Sequence, residues 1–270
     1  MRGFVTVSIG SGLVDSIFGK CQVPLASYIE KQGEAFERES VMKYLFSFNP
    51  SRHWAEQYSS ETAMDDFVPV GEGGEYPRTG FEEGYNRIIE NMTFKQSFSV
   101  TQELVEDANL GAMKQRARKL ITAYGRTREK FGRALYAGGI YGTTVNFGGK
   151  SFACNGADGL ALFHKEHVNK VDGKKQSNLY KGAFSATLLG KIETEMQQVT
   201  GDNGELLAVS PDTIWIPNDA ALKDAVFSAV GADKEPATSN NAYNVQYGRW
   251  NIIVDPYMTQ MLRVMGKTDK

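Results

Sequence analysis

The chain has 270 residues, of which 41% are hydrophobic and 23% charged, and its formal net charge is −2. That length provides one large domain or two closely joined ones, with enough apolar content for a core that needs no disulfide or metal staple. The near-neutral balance gives no ground for general nucleic-acid or membrane affinity, and no apolar run approaches the roughly 20 residues of a membrane span.

Two cysteines, Cys21 and Cys154, fall in no C-x-x-C pattern, so the expectation is free thiols in a reducing compartment. Arg2 and Phe4-Val5-Thr6-Val7 open the chain without a long apolar stretch, and no signal peptide is expected. These features point to a cytosolic product.

In chain order, residues 1–62 are mixed and irregular. Tyr28, Ala35, Val41 and Leu45 outline a weak amphipathic helix from about Ser27 to Phe46, ended by Asn49-Pro50. The segment is too poor in core residues to stand alone, so it is expected to be an arm that packs on something else.

Residues 63–108 predict a long β-hairpin. Asp66-Phe67-Val68-Pro69-Val70 gives one short strand, and the turn-rich stretch Gly71 to Gly80 gives a projecting tip. In the return strand Met92, Phe94, Phe98 and Val100 take one face and Thr93, Lys95, Ser97, Ser99 and Thr101 the other, the period of two expected of a half-buried strand.

Residues 109–137 carry the strongest helical signal. Leu110, Met113, Ala117, Leu120, Tyr124, Phe131 and Leu135 form an apolar stripe, and Lys114, Arg116, Arg118, Lys119, Arg126, Arg128, Lys130 and Arg133 crowd the other faces. Asp107 or Asn109 is expected to cap the start and Gly138-Gly139 to stop the helix, giving a rod of roughly 40 Å. Downstream, the pattern predicts a helix from Ser185 to about Thr200, a turn at 201–204 and a buried strand from Asp212 to Ile216. An Asn218-capped helix over 219–230, with Leu222, Val226 and Phe227 inward, then precedes a strand from Trp250 to Val254. Such alternation predicts a small α/β unit. Residues 231–244 are polar and predict a mobile loop.

The one cluster that suggests chemistry is His164-Lys165-Glu166-His167. A helical zinc site places histidines at i and i+4; here the spacing is i and i+3, between Gly159 and Asp172-Gly173, and His53 is far away in sequence. A metal-dependent hydrolase and a turn braced by an imidazole are the two readings. The glycine clusters at 71–74 and 147–149 lack the Lys-Ser/Thr of a phosphate-binding loop and read as turns. No catalytic residue, metal ligand or cofactor site is assigned.

The order of these parts resembles the major capsid protein of tailed bacteriophages, with the α+β HK97-type fold, and within it the Mu-like major head subunit family. The residues that carry the resemblance are Asp158-Gly159-x-x-Leu162-Phe163-x-x-x-His167, Gln176-Ser177-Asn178, Ser185-Ala186-x-Leu188 and Pro211 to Pro217, together with Phe98 to Ala108 at the entry to the long helix. The resemblance spans about residues 60–258. It implies an N-terminal arm over 1–62, an extended E-loop hairpin over 63–108 lying on a neighbouring subunit, and a P domain over 109–182 with its spine helix at 109–137. An axial A domain over 183–250 and a return towards the P domain over 251–270 complete it. The family's return runs through further strand, for which few residues remain after Asp255-Pro256.

The function implied is a head subunit that assembles with itself as hexamers and pentamers into an icosahedral shell, built in the host bacterial cytoplasm. Its expected partners are scaffold, portal and decoration proteins, and double-stranded DNA enclosed without sequence-specific contact. Exposure logic nominates Phe67, Val68, Tyr76, Arg78, Arg126 and Arg133 as inter-subunit contacts, and the resemblance implies that His167 braces a turn at the P–A boundary. An encapsulin-like compartment shell is the alternative within the same fold.

Overall fold

In the computed structural model, which describes residues 17–62, 64, 66–78, 80–99, 110–202, 204–231 and 244–264, helices and short strands are interspersed along the chain. The architecture is α+β. Two compact units are distinguished, one from Met1–Arg52 and Asn91–Gly132 and one from His53–Glu90 and Arg133–Lys270.

The first unit is built on helix packing. Its helices are α1 (Ile17–Glu39), α2 (Met42–Leu45) and the greater part of α3 (Leu110–Tyr141). Ile29 of α1 is buried with Ala117 and Ile121 of α3, and Tyr28 and Phe98 close over them. The helical arm expected over 27–46 thus exists, but it is already helical at Ile17, where the described residues begin, and breaks at Ser40–Val41. The break has a local cause: the Ser40 hydroxyl oxygen accepts from the Met42 amide at 3.2 Å, and the same hydroxyl donates to the buried Glu129 carboxylate. Such side-chain bonding competes with helix continuation.

Between Gly111 and Phe131 burial along α3 falls on Met113, Ala117, Ile121, Gly125 and Glu129, a row of fours that Arg133 continues, of the kind that packs ridge into groove. The expected stripe coincides with it at Met113 and Ala117 and then diverges, because glycine and two charged residues occupy the face. A Cβ on Gly125 would overlap the Phe36 ring, and one on Gly132 the Met42 side chain. Gly138 and Gly139 do not stop the helix, which runs on to Tyr141 and reaches roughly 48 Å. They serve close approach instead: a Cβ on Gly138 would lie 2.9 Å from Val145 and Cys154, and one on Gly139 would lie 2.6 Å from Leu162. The predicted caps at Asp107 and Asn109 lie outside the described residues.

In the second unit the hairpin is β1 (Ala55–Glu61) against β2 (Glu83–Glu90), antiparallel, from Ala55↔Glu90 to Glu61↔Glu83, with an irregularity between Ser59 and Glu61. Both strands lie outside the segments predicted for them. Residues 66–70 and 92–99 form no strand, because β1 begins opposite Glu90 and leaves the chain beyond without a ladder partner. The alternation after Met92 serves helix packing instead. Phe98 joins the Ile29 cluster, and the Phe94 ring lies 5.6 Å from that of Phe131.

Two cores hold the rest of the second unit. In one, Ala134 and Ala137 of α3 meet Val145, Cys154 and Met261. Val145 comes from the hairpin of β3 (Thr144–Phe147) and β4 (Lys150–Ala153), whose turn needs positive φ at Gly148 and Gly149. In the other, Leu189, Ile216, Val226 and Val230 are buried together. Leu189 lies on α4 (Ala186–Gln197), which follows the small pair β5 (His167–Val168) and β6 (Lys175–Gln176). The predicted α/β unit is present as β7 (Thr213–Pro217), α5 (Ala220–Val230) and β8 (Asn251–Asp255), with β7 and β8 paired in parallel. Asp219, not Asn218, caps α5, its carboxylate accepting from the Leu222 amide at 2.9 Å. Phe227 is not inward but 48% exposed, and Val230 takes the buried place. Instead of a strand, β8 is followed by α6 (Pro256–Val264), which carries Met261 into the first core. Residues 232–243 of the polar loop lie outside the described residues.

These elements are tied by one buried carboxylate. Asp255 Oδ2 accepts from Arg133 Nε at 2.5 Å and from the Trp215 indole at 3.0 Å, while Oδ1 accepts from the Tyr257 and Met258 amides at 2.9 and 3.3 Å. Arg133 and Asp255 are each 2% exposed. Removing one partner of such a pair strands the other in an apolar site, so Asp255→Asn is expected to cost about 3–5 kcal/mol in chemical denaturation. Joint replacement by Arg133→Met and Asp255→Leu is expected to lie closer to wild type than Asp255→Asn alone. Gly139→Ala is expected to cost about 1–3 kcal/mol by overpacking against Leu162.

Candidate assembly surfaces and the motif segment

The residues from Asp158 to Pro217 that stood out in the sequence are mutually engaged. The Asp158 carboxylate bonds the His167 ring through Nδ1 at 2.6 Å and accepts from the Leu160 amide at 3.1 Å. Between them the chain turns back, with the Gly156 amide on Leu160 O at 2.7 Å and positive φ at Gly159. Asn178 clamps the next stretch: its Oδ1 accepts from the His164 amide at 2.8 Å and its Nδ2 donates to Leu162 O at 2.9 Å. The Gln176 amide group bridges Asn169 and both backbone groups of the Thr200 peptide region, donating to Thr200 O at 2.8 Å and accepting from Thr200 N at 3.0 Å. Ser185 caps α4 through the Leu188 amide at 3.1 Å.

His164 and His167 therefore have structural occupations. His164 Nδ1 accepts from the Glu166 amide at 3.1 Å, and the two rings meet edge to face at 6.0 Å. Among the described residues, no group of three or more His, Cys, Asp or Glu side chains is placed to hold a metal. Burial pushes the Asp158 carboxyl upward, but the bonds from His167 and Leu160 outweigh it, and the group is held below its ordinary value of 3.8. Cys154 is free and buried, and that burial raises its thiol against the pull of Arg87.

The loop-side half of the β1–β2 ladder is pinned to this segment. Arg87 donates to the Asn155 backbone carbonyl and, at 3.1 Å, to its side-chain oxygen. The Tyr85 hydroxyl donates to Val168 O at 2.9 Å, and Lys170 Nζ donates to the carbonyls of Glu83 and Gly84 at 3.1 and 2.5 Å. The described loop residues beyond it, 64, 66–78 and 80–82, are exposed. Phe67 is 102% exposed and Tyr76 85%; Val68 and Arg78 are exposed as well. The ribbon presents Ile88 and Ile89, neighbours on opposite faces, both to solvent.

Of the basic residues nominated on the long helix, Arg126 is exposed. Arg133 is not: it is the buried partner of Asp255 and has almost no surface to offer a neighbour. Sequence reasoning placed Arg133 with the solvated cations. The row of fours through Met113, Ala117, Ile121, Gly125 and Glu129 was the signal that leads to it. It also missed the buried Glu193, which ion-pairs with Arg249 and accepts from Gln246 Nε2 at 3.3 Å.

A family model described as phage capsid protein matches residues 89–269. The chain belongs to the phage capsid protein family. It is a subunit of a phage capsid shell, and its place is in the virion capsid. A solved structure, the capsid of bacteriophage JBD30 decorated with minor capsid protein trimers, is similar with a TM-score of 0.49 at 13% identity, over 78% of this chain and 88% of that one. No curated protein matches the capsid chain in sequence.

The depressed Asp158 carboxyl gives a pH prediction for the capsid subunit. Its folded value lies below its unfolded one, so its stabilisation is complete above the ordinary carboxylate range and is lost as pH falls through the folded value. Asp158→Asn is expected to lower stability by about 1–3 kcal/mol at pH 7, a difference that shrinks in denaturation curves as pH falls below the ordinary carboxylate value of 3.8 and through the lower folded one.

Proposed function

We propose that this capsid protein is the major head subunit of a tailed phage, with the HK97-type fold and an affinity to the Mu-like head subunits. In this reading residues 1–62 are the N-terminal arm, 63–108 the E-loop region, 109–182 the P domain, 183–250 the A domain and 251–270 the return. On these bounds the two-stranded ribbon joins β1, from the end of the arm, to β2, from the E-loop region. Its role is structural, without catalysis or cofactor. Assembly takes place in the host bacterial cytoplasm, with scaffold, portal and decoration proteins as partners and double-stranded DNA enclosed without sequence-specific contact.

The observation that carries this reading is the hairpin. A two-stranded ribbon is marginal alone, and this one ends in a loop whose Phe67, Val68 and Tyr76 are bare. Surfaces of that kind are covered by a partner. Phe67, Val68, Tyr76, Arg78 and Arg126 are its candidate contacts; Arg133 is withdrawn from the set by its burial. All four sheets among the described residues are two-stranded, which fits a chain whose stability is completed in assembly.

Electron microscopy of the expressed chain, with and without scaffold, is the test. Closed shells are expected, and persistent monomers under all conditions would count decisively against the reading. Shells filled with a cargo enzyme would turn it towards a protein compartment. The double change Phe67→Ser and Tyr76→Ser is expected to leave the monomer's stability within about 0.5 kcal/mol of wild type, while sharply lowering the yield of shells.

A further inference from the structure

The net charge of −2 conceals a strong local excess. Residues 110–132 of the long helix hold seven basic residues and one acidic residue. The acidic one, Glu129, is buried and accepts from the Ser40 hydroxyl, so it is absent from the surface. Between Gly111 and Phe131 every exposed residue is Lys, Arg, Gln, Thr or Gly, and none is apolar or acidic. Lys114, Arg118, Lys119, Arg126 and Lys130 share one arc of about 160° along a length of about 24 Å of α3.

Little of this charge is neutralised at home. Arg128 pairs with Glu37 of α1, and Arg118 meets the Tyr28 hydroxyl at 3.3 Å. Lys114, Lys119, Arg126 and Lys130 make no ion pair among the described residues, and neither do the exposed Glu30 and Glu34 of α1.

Composition decides which partner such a face fits. A protein interface draws most of its energy from a few buried aromatic, apolar or Arg anchors seated in pockets, and this face has cations without the apolar surround. A nucleic-acid backbone asks only for cations. Duplex DNA carries one negative charge per about 1.7 Å of its axis and is held by releasing counterions.

We infer that the Lys114–Lys130 face of the long helix is the surface on which enclosed duplex DNA rests its phosphate backbone. The inference rests on the reading of a DNA-filled shell and adds to it the surface that meets the DNA. Phosphate contacts carry no sequence information, so the face takes a cargo of any sequence. Gln115 and Thr122, exposed within the same arc, add neutral side chains able to bond phosphate oxygens.

The test uses the full-length chain and a labelled duplex of about 20 base pairs, titrated by fluorescence anisotropy over a series of salt concentrations. One variant carries Lys119→Gln, Arg126→Gln and Lys130→Gln. A control removes three exposed cations elsewhere, by Lys165→Gln, Lys175→Gln and Lys191→Gln, for the same change in net charge. Melting curves followed by circular dichroism should match wild type; if the half-buried Lys130 upsets the first variant, the pair Lys119→Gln and Arg126→Gln replaces it. The helix variant is expected to reduce the slope of log affinity against log salt by about 3, or about 2 for the pair, equally for duplexes of unrelated sequence. The control is expected to leave the slope within about half a unit of wild type. Shells closed around the duplex and then treated with nuclease should retain at least about tenfold less of it in the helix variant, at wild-type shell yield.

A slope changed by less than about one in the helix variant, or changed as much in the control, would overturn the inference. So would wild-type shells whose bound duplex is all digested, because the face would then lie outside. Loss of shells in the helix variant with duplex binding unchanged would assign the face to a protein partner instead. Wild-type chain that never closes shells would sink the shell reading and this inference together; normal shells with an unchanged slope would sink this inference alone.

Discussion

One carboxylate, that of Asp255, has to be satisfied before the second unit can exist. Buried and charged, it would be costly in an apolar site without full hydrogen bonding. Both of its oxygens are occupied, by Arg133 and Trp215 on one side and by the first amides of α6 on the other. Because those donors come from α3, β7 and α6, the carboxylate fixes three elements at one point. The Tyr257 ring lies 5.7 Å from the Arg133 guanidinium, and Tyr136 meets Trp215 edge to face at 5.3 Å, so aromatic packing closes the pair off from water. A hydrophobic replacement of similar volume could be as stable. What the ion pair adds is direction, since only one register of β8 puts the carboxylate within reach of Arg133.

From that point the chain organises outward with decreasing self-sufficiency. The βαβ unit on β7 and β8 has a core of its own, and the β3–β4 hairpin shares one with α3 and α6. The motif segment is held less by apolar packing than by side-chain clamps at Asp158, Asn178 and Gln176. Among the described residues, the hairpin is pinned on the loop-side half of its ladder, by Arg87, Tyr85 and Lys170. Each step exchanges burial for reach, and the last element has little left that stabilises it internally.

What could be read from the sequence follows the same gradient. The β7–α5–β8 unit was legible because continuous apolar strands flanked a capped helix. The long helix was legible from its period, though not its end: Gly138-Gly139 looks like a terminator locally and acts as a contact surface in the fold, a distinction set by Val145, Cys154 and Leu162 from later in the chain. The strands of the hairpin were misplaced for a related reason. Residues 92–99 alternate as a strand does, but that period says only that one side is apolar, and here the apolar side meets helices. Arg133 was misassigned because a charged residue is usually solvated; its partner lies 122 positions away, where no local pattern reaches.

The charges that flank the exposed loop's apolar residues answer a difficulty that those residues raise. A bare Phe67 beside Val68 invites indiscriminate association. Asp66 precedes that pair and Glu75 precedes Tyr76, so each apolar group is presented beside a negative charge. Such flanking charges guard against aggregation by making contact with an acidic or neutral surface unfavourable. Specificity needs repulsion from wrong partners as much as attraction to the right one. A loop with this composition rejects another copy's loop, since like charges would meet, and accepts a cationic surface with apolar gaps between its charges.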